Sequence, residues 1–462
     1  MNSSKSVLFL RPFYGVNIIS DMGGDLGVVD YSNQICCDVS ILYAASLSQS
    51  LGMNTTVIDA NARRLTKIQV LNELSTMKCL DEILVKATAP SIKEDLQLCL
   101  EIKEKFPNIK ITIFGHIIKL LDEWIKEKYI SAIDNVWVEP IEEYIYRNFG
   151  RTSKEENKLS LTLNDLPIID YSLFPIEKYK TLGGKSFSYL WASRGCKFRC
   201  DYCPYSALFN KGIEFRDIDK IILDIKNALA NGVEVIQFRD PFFTANKFRI
   251  KELCDEIIKQ GLQFEWYCET YLSGLDRELL EKMYEAGNRL ICIGIESATS
   301  GILKMHKRPT FSEDRLKNIV SIMDEIGIES VGFFMIGFES ETIEQMYDTC
   351  DLAIRSGVTY AQFNIWTLYP DTHAFQNLQL DTQVNTNEAI DYYLPFENRV
   401  SYNPNKFLSR DELEYLSQLF LLLFNISRIG FNEAYKNYKY IEIQRSRVQR
   451  YIKMREENGK KF

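Results

Sequence analysis

Two successive series of alternating β-like and helix-like segments constrain this chain more than any other feature. Over the first 150 residues the runs "SVLFL", "TTVID", "EILVKAT", "IKITIFG" and "DNVWV" are short, rich in β-branched residues and bounded by turn formers. Between them, "DVSILYAASLSQSLG" and "IKEDLQLCLEIKEKF" repeat apolar residues at the helical spacing of three and four. Five such strands predict a doubly wound parallel sheet, which takes ligands beyond the carboxyl ends of its strands. A second series starts at Phe187, with strands expected near 188–195, 234–240, 263–269, 290–296, 329–336 and 360–367. Six βα units are too few for an eight-stranded barrel but fit a partial one, whose functional residues sit on the loops after the strands. The fold class is therefore α/β.

The two series are separated by 151–186, where "RTSKEENK" is polar and "LNDLPIIDYSLFPIEKY" reads as an extended segment with two prolines. A chain of 462 residues has room for such a division. The expected layout is a sheet domain over 1–150, a linker over 151–186, a partial (β/α)6 barrel over 187–375 and a helical region over 376–462. Within the barrel series, "DIDKIILDIKNALANG" places residues 218, 221, 222, 225, 228 and 229 on one face, and Gly232 closes the helix. Ser409 is a plausible cap for the long helix that opens the C-terminal region.

Directly after the first strand of the second series lies "RGCKFRCDYC", with thiols at Cys196, Cys200 and Cys203. Three thiols are too many for a disulfide and one short of a structural zinc site, which takes four ligands. The chain has three histidines (His116, His306 and His373) and no second C-x-x-C to supply the fourth. Core thiols would follow an apolar period, whereas these alternate with Lys197, Arg199 and Asp201. A loop of this spacing suits one corner set of a four-iron cluster with the fourth iron left open to a small molecule. The remaining cysteines (Cys36, Cys37, Cys79, Cys99, Cys254, Cys268, Cys292 and Cys350) fall mostly in apolar periods and are expected in the core. The three histidines are expected in loops or at the surface.

A net charge of −8 argues against nucleic acid as the main partner. The run "LFLLLF" is far too short for a membrane span, which needs ~20 apolar residues. The opening residues read as a strand rather than a secretion signal. Eleven cysteines, mostly isolated, suit a reducing compartment, so the expected location is cytoplasmic.

The C-x-x-x-C-x-x-C spacing after the first barrel strand resembles the radical S-adenosylmethionine enzymes. "GIES" at 294–297 resembles their fourth-strand segment, "GFFMIGFESET" at 332–342 their fifth, with Glu339 where proline is usual, and "LYPDT" at 368–372 their sixth. "LKMHKRPT" fits the helix after the fourth strand. The N-terminal part, through "LFLRPF", "VIDANARR", "FGH" and "VEPIEE", resembles the cobalamin-binding domain that precedes this barrel in one large subgroup, although its usual glycines are altered and no D-x-H-x-x-G is present.

The resemblance implies a [4Fe–4S] cluster on Cys196, Cys200 and Cys203, S-adenosylmethionine as its ligand, and cobalamin. It sets Tyr202 against the adenine, Asp240 near the ligand's ammonium, Glu296 and Ser297 on its ribose or aminoacyl group, and Gly337 where backbone approaches the adenine. Glu269 ends the third strand, but Tyr271 and Ser273 replace the arginine and aspartate usual after it. Packing, capping and turn roles compete at each of these positions. The implied activity is cleavage of S-adenosylmethionine to a 5′-deoxyadenosyl radical, used for cobalamin-dependent methylation of an unactivated carbon in a small molecule or peptide. A flavodoxin or ferredoxin would supply the electron. Corrin-independent cyclisation, rearrangement or oxidation is the alternative, and a non-catalytic corrin or cluster sensor a third reading.

Overall fold

The computed structural model describes residues 5–20, 26–30, 32, 34–150, 160–205, 212–369, 372–377, 389–397, 399–430 and 433. The polar stretch at 151–158, residues 370 and 371 of "LYPDT", and the tail beyond residue 433 lie outside them.

Both expected sheets form. Strands β1 (Ser6–Arg11), β2 (Asn54–Asp59), β3 (Glu82–Lys86), β4 (Lys110–Phe114) and β5 (Asn135–Trp137) make one parallel sheet in the order β2-β1-β3-β4-β5. The strand order reverses between β1 and β3, which is where such a sheet opens a crevice. A short antiparallel pair, Asn17–Ile19 with Val28–Asp30, was not expected from the sequence. The second sheet is also wholly parallel. It runs in sequence order through β6 (Phe187–Leu190), β7 (Val235–Phe238), β8 (Glu265–Thr270), β9 (Asn288–Glu296), β10 (Glu329–Ile336) and β11 (Tyr360–Ile365). This is the six-stranded partial barrel.

β6 is shorter than expected because the chain leaves the sheet at Trp191 and pairs Ser193–Arg194 with Glu214–Phe215 instead. That hairpin holds both ends of the cysteine loop together.

Local chemistry sets the helix ends. Thr342 and Gln345 form a reciprocal capping box, as do Ser409 and Glu412. The helix Ile218–Ala230 buries Ile221, Ile222, Ile225 and Ala228, following the predicted face.

The two sheets share cores. Tyr43, on the helix Val39–Ser50 of the first unit, stacks on Trp191 of the second at 5.2 Å and 3°. Arg216 is fully buried between them: it bonds Asp224 at 2.8 Å and the carbonyls of Leu166 and Pro167 in the linker at 3.2 Å each. A second apolar cluster joins Leu8, Leu10 and Ala87 of the first sheet to Cys200, Tyr202, Phe338 and Trp366 of the barrel rim.

One sequence expectation is corrected: Cys79 is exposed, not core. His116 and His306 lie in turns, as expected, but are buried there, and His373 is exposed. A histidine takes a core position readily when its ring packs on aromatics, as His306 does. No described helix is long and apolar enough to cross a membrane.

Candidate functional site: the cysteine loop at the barrel rim

The loop carrying the three thiols is pinned at its start. Arg194 forms an ion pair with the fully buried Glu142 of the first unit and a second with Glu214 at 3.2 Å. Gly195 then turns with φ +90°, and a Cβ there would meet the Gly212 carbonyl oxygen at 2.0 Å, so only glycine fits. Further along, Asp201 receives a bond from His306 Nδ1 at 2.9 Å, donates its own N–H to the His306 carbonyl at 3.2 Å and accepts from Ala374 N at 2.9 Å. The loop is a fixed platform.

On it, Cys200 is buried, and Cys196 and Cys203 are partly exposed. Phe198 N–H donates to Cys196 Sγ at 3.4 Å, and Arg308 Nη1 donates to Cys200 Sγ at 3.7 Å. Burial pushes both thiols up; Arg308 pulls each back toward the thiolate. Among the described residues no three His, Cys, Asp or Glu groups converge as a single ion would require. A four-iron cluster does not require it, because each cysteine binds a different iron. The donor set, three thiols with a cation turned to one sulfur, suits such a cluster.

Glu296 ends β9 in a left-handed conformation, φ +70°, which is costly for a glutamate and typical of sites where the side chain has a task. Its carboxylate meets Arg308 at 3.1 Å, and burial raises its pKa against that cation. Beside the loop, Tyr202, His306, Phe338 and Trp366 form an aromatic group with ring centroids 4.9–5.9 Å apart. Tyr202 Oη, His306 Nε2 and Trp366 Nε1 are buried there with no hydrogen-bond partner among the described residues. Buried polar atoms are normally satisfied, so these three are exceptions in the packing beside the loop.

The other expected site residues have the following protein partners. Ser297 Oγ faces Glu341 and Thr349 at 3.4 Å each and is fully buried, turned into the packing below the rim. Asp240 accepts from Ala192 N at 3.0 Å and Ser193 Oγ at 2.5 Å, bracing the strand that leads into the loop; burial raises its pKa to about 7. Glu269 pairs with Arg239 at 2.6 Å. Gly337 is left-handed at φ +84°, and a Cβ would lie 2.8 Å from Leu413, so its open face meets the C-terminal helix Arg410–Ile429. Its N–H donates to Glu341 at 2.7 Å, and burial raises that carboxyl to about 7.

Arg308, Glu341 and the Asp201–His306 pair escaped the sequence reading. Arg308 stands in "LKMHKRPT", which resembles only the helix after the fourth strand and gives the arginine no role.

Residues 192–353 match the family model described as the radical SAM superfamily. The chain carries a radical SAM domain. Around it, the chain is 28% identical over 277 residues to an uncharacterized methyltransferase of Pyrococcus horikoshii, covering 58% of this chain and 60% of that protein. It is 26% identical over 275 residues to the hopanoid C-2 methylase of Rhodopseudomonas palustris, covering 55% and 50%. The matches thus span only 60% and 50% of those two relatives' length. Among solved structures, the radical S-adenosylmethionine methyltransferase TsrM from Kitasatospora setae, with cobalamin and a [4Fe–4S] cluster bound, shares the fold: TM-score 0.63, 14% identity, 82% of this chain and 78% of that one. The radical SAM barrel preceded by a parallel sheet is therefore an arrangement already seen in that protein.

Proposed function

We propose that the protein is a radical SAM enzyme in which Cys196, Cys200 and Cys203 hold a [4Fe–4S] cluster, and that it transfers a methyl group to an unactivated carbon of a small molecule or peptide. The observation that carries this reading is the platform just described: three thiols on a braced loop beside a buried aromatic group whose polar atoms lack partners. When bound, the cluster would supply an open iron for the amino and carboxylate groups of S-adenosylmethionine and the electron that splits its sulfonium bond. The residues of this chain do the rest. Tyr202 and Phe338 offer ring faces and edges to a flat heterocycle, and His306 Nε2 and Trp366 Nε1 offer polar atoms to it. Glu296 offers a carboxylate to a hydroxyl or ammonium. The apolar wall excludes water, which a radical step requires.

Cobalamin is proposed as the methyl carrier, on the crevice at the carboxyl edge between β1 and β3. The shared apolar cluster supports this placement, because Leu10 and Ala87 at that edge belong to the same packed body as Cys200 and Trp366. The electron would come from a flavodoxin- or ferredoxin-like donor.

A second reading, radical chemistry without a corrin, is favoured by one observation: the cations at that edge are already satisfied. Arg11 pairs with Asp59 at 3.2 Å and Lys86 with Asp38 at 3.5 Å. Anaerobic reconstitution with iron and sulfide, followed by dithionite and methyl-labelled S-adenosylmethionine, tests both. Release of 5′-deoxyadenosine is expected, and its absence sinks the enzyme reading. Corrin uptake separates methyl transfer from the second reading.

A further inference from the structure

Arg308 is held more tightly than binding a mobile ligand alone would need. Nη2 donates to the Gly294 carbonyl at 2.7 Å and meets Glu296 at 3.1 Å, while Nη1 donates to Cys200 Sγ at 3.7 Å. The guanidinium also lies over the Tyr271 ring at 4.8 Å. Tyr271 is itself fixed: its hydroxyl donates to the Pro309 carbonyl at 2.6 Å, and its ring meets Phe198, inside the cysteine loop, edge-on at 5.1 Å. Tyr271 thus serves as the platform under Arg308. Lys197, another cation of the loop, is turned away over the rings of Phe198 and Phe242 at 5.5 and 4.8 Å.

We propose that Arg308, clamped by Tyr271, Gly294 and Glu296 against the Cys200 sulfur, sets the reduction potential of the cluster. This rests on the cluster reading above. The physics is direct. Taking up one electron adds one negative charge to a cluster already bearing three cysteinates, and a fixed guanidinium nearby stabilises the reduced form more than the oxidised one. A hydrogen bond to a ligating sulfur acts in the same sense by drawing electron density from it. The site is largely closed to solvent, with 14% of the Arg308 side chain exposed, so screening is weak. Arg308 is thus a positioning and tuning residue: it makes the cluster reducible by a low-potential one-electron donor. The neighbouring Glu296, at 3.1 Å, offsets part of this charge and fixes the guanidinium in place beside the sulfur.

The test is a potentiometric titration of the reconstituted protein, followed by paramagnetic resonance of the reduced cluster and run without S-adenosylmethionine. In Arg308→Gln the ratio of reduced to oxidised cluster at fixed poise is expected to fall about tenfold, a shift of about 59 mV to lower potential. Arg308→Lys, which keeps the charge, should recover most of the wild-type value. Tyr271→Leu, which removes the platform and keeps Arg308, should shift the same way by less. An unmoved midpoint in Arg308→Gln at normal iron content, or a lysine variant as shifted as the glutamine one, overturns the proposal. If Arg308→Gln takes up no cluster, Tyr271→Leu decides, and an unmoved midpoint there overturns it. A wild-type protein that assembles no four-iron centre would take the functional reading down as well, so the two failures look different.

Discussion

The barrel rim and the carboxyl edge of the first sheet handle buried polarity in opposite ways. At the rim, Tyr202 Oη, His306 Nε2 and Trp366 Nε1 are buried without partners among the described residues. Each such atom costs about 1–3 kcal/mol unless something completes it. At the sheet edge the charges are closed among themselves. Arg11 bonds Asp59 and, at 2.6 Å each, the carbonyls of Cys36 and Ile18. Lys86 and Asp38, each with 1% of the side chain exposed, face one another, and Ser40 donates to Asp38 at 2.5 Å. The rim leaves buried polar atoms without a partner among the described residues, while the edge has spent its cations on structure. That difference is what the proposed division, with the cluster at the cysteine loop and the corrin at the edge, rests on.

The comparison breaks most visibly at the loop. Cys200→Ala should abolish both cluster assembly and 5′-deoxyadenosine release, measured as bound iron and by chromatography. The edge is broken by Lys86→Met, which strands a buried carboxylate and should cost about 3–5 kcal/mol in urea unfolding. Although burial alone would raise the Asp38 pKa, Lys86 and Arg11 hold it well below the usual carboxylate range. Its folded value is depressed, so the pair's contribution is present at neutral pH. The gap between wild type and Lys86→Met should narrow as pH falls, because Asp38 takes up its proton at a higher pH in the variant, where burial is no longer opposed by Lys86, than in wild type.

These two regions were unequally legible in the sequence. All eleven strands of the two main sheets fall on segments whose period of two or apolar run announced them, and the thiol spacing announced the platform. The hairpin of Asn17–Ile19 and Val28–Asp30 did not, because three-residue strands carry too few alternations to register. Arg308 and His306 were unreadable for another reason. Charge and imidazole normally mean surface, and only long-range partners such as Cys200 and Asp201 bring them inside. The Ser297 hydroxyl faces Glu341 and Thr349, partners that no spacing encodes.

Smaller effects sharpen the contrast. Gly337→Ala combines a left-handed backbone with a 2.8 Å approach to Leu413 and should cost about 1–3 kcal/mol by thermal or urea unfolding. Asp240 has its folded pKa raised by burial to about 7, so wild type is fully stable with respect to this group below the unfolded value and loses stability as pH rises toward 7. Asp240→Asn can still bond Ala192 N and Ser193 Oγ, so its stability relative to wild type should grow over that window by up to about 1.4 kcal/mol per pH unit. At the small end, Tyr202→Phe removes a hydroxyl that has no partner among the described residues. The ligand-free protein should unfold within about 1 kcal/mol of wild type or be slightly more stable, while the affinity for S-adenosylmethionine falls.

One spectroscopic measurement bears most directly on the cysteine platform. With ⁵⁷Fe reconstituted anaerobically into the wild-type protein, Mössbauer spectra are recorded before and after adding S-adenosylmethionine. The account predicts a four-iron centre in which a single iron changes its signal on addition, because Cys196, Cys200 and Cys203 bind the other three. Four irons that all ignore the addition, or no four-iron centre, would contradict it.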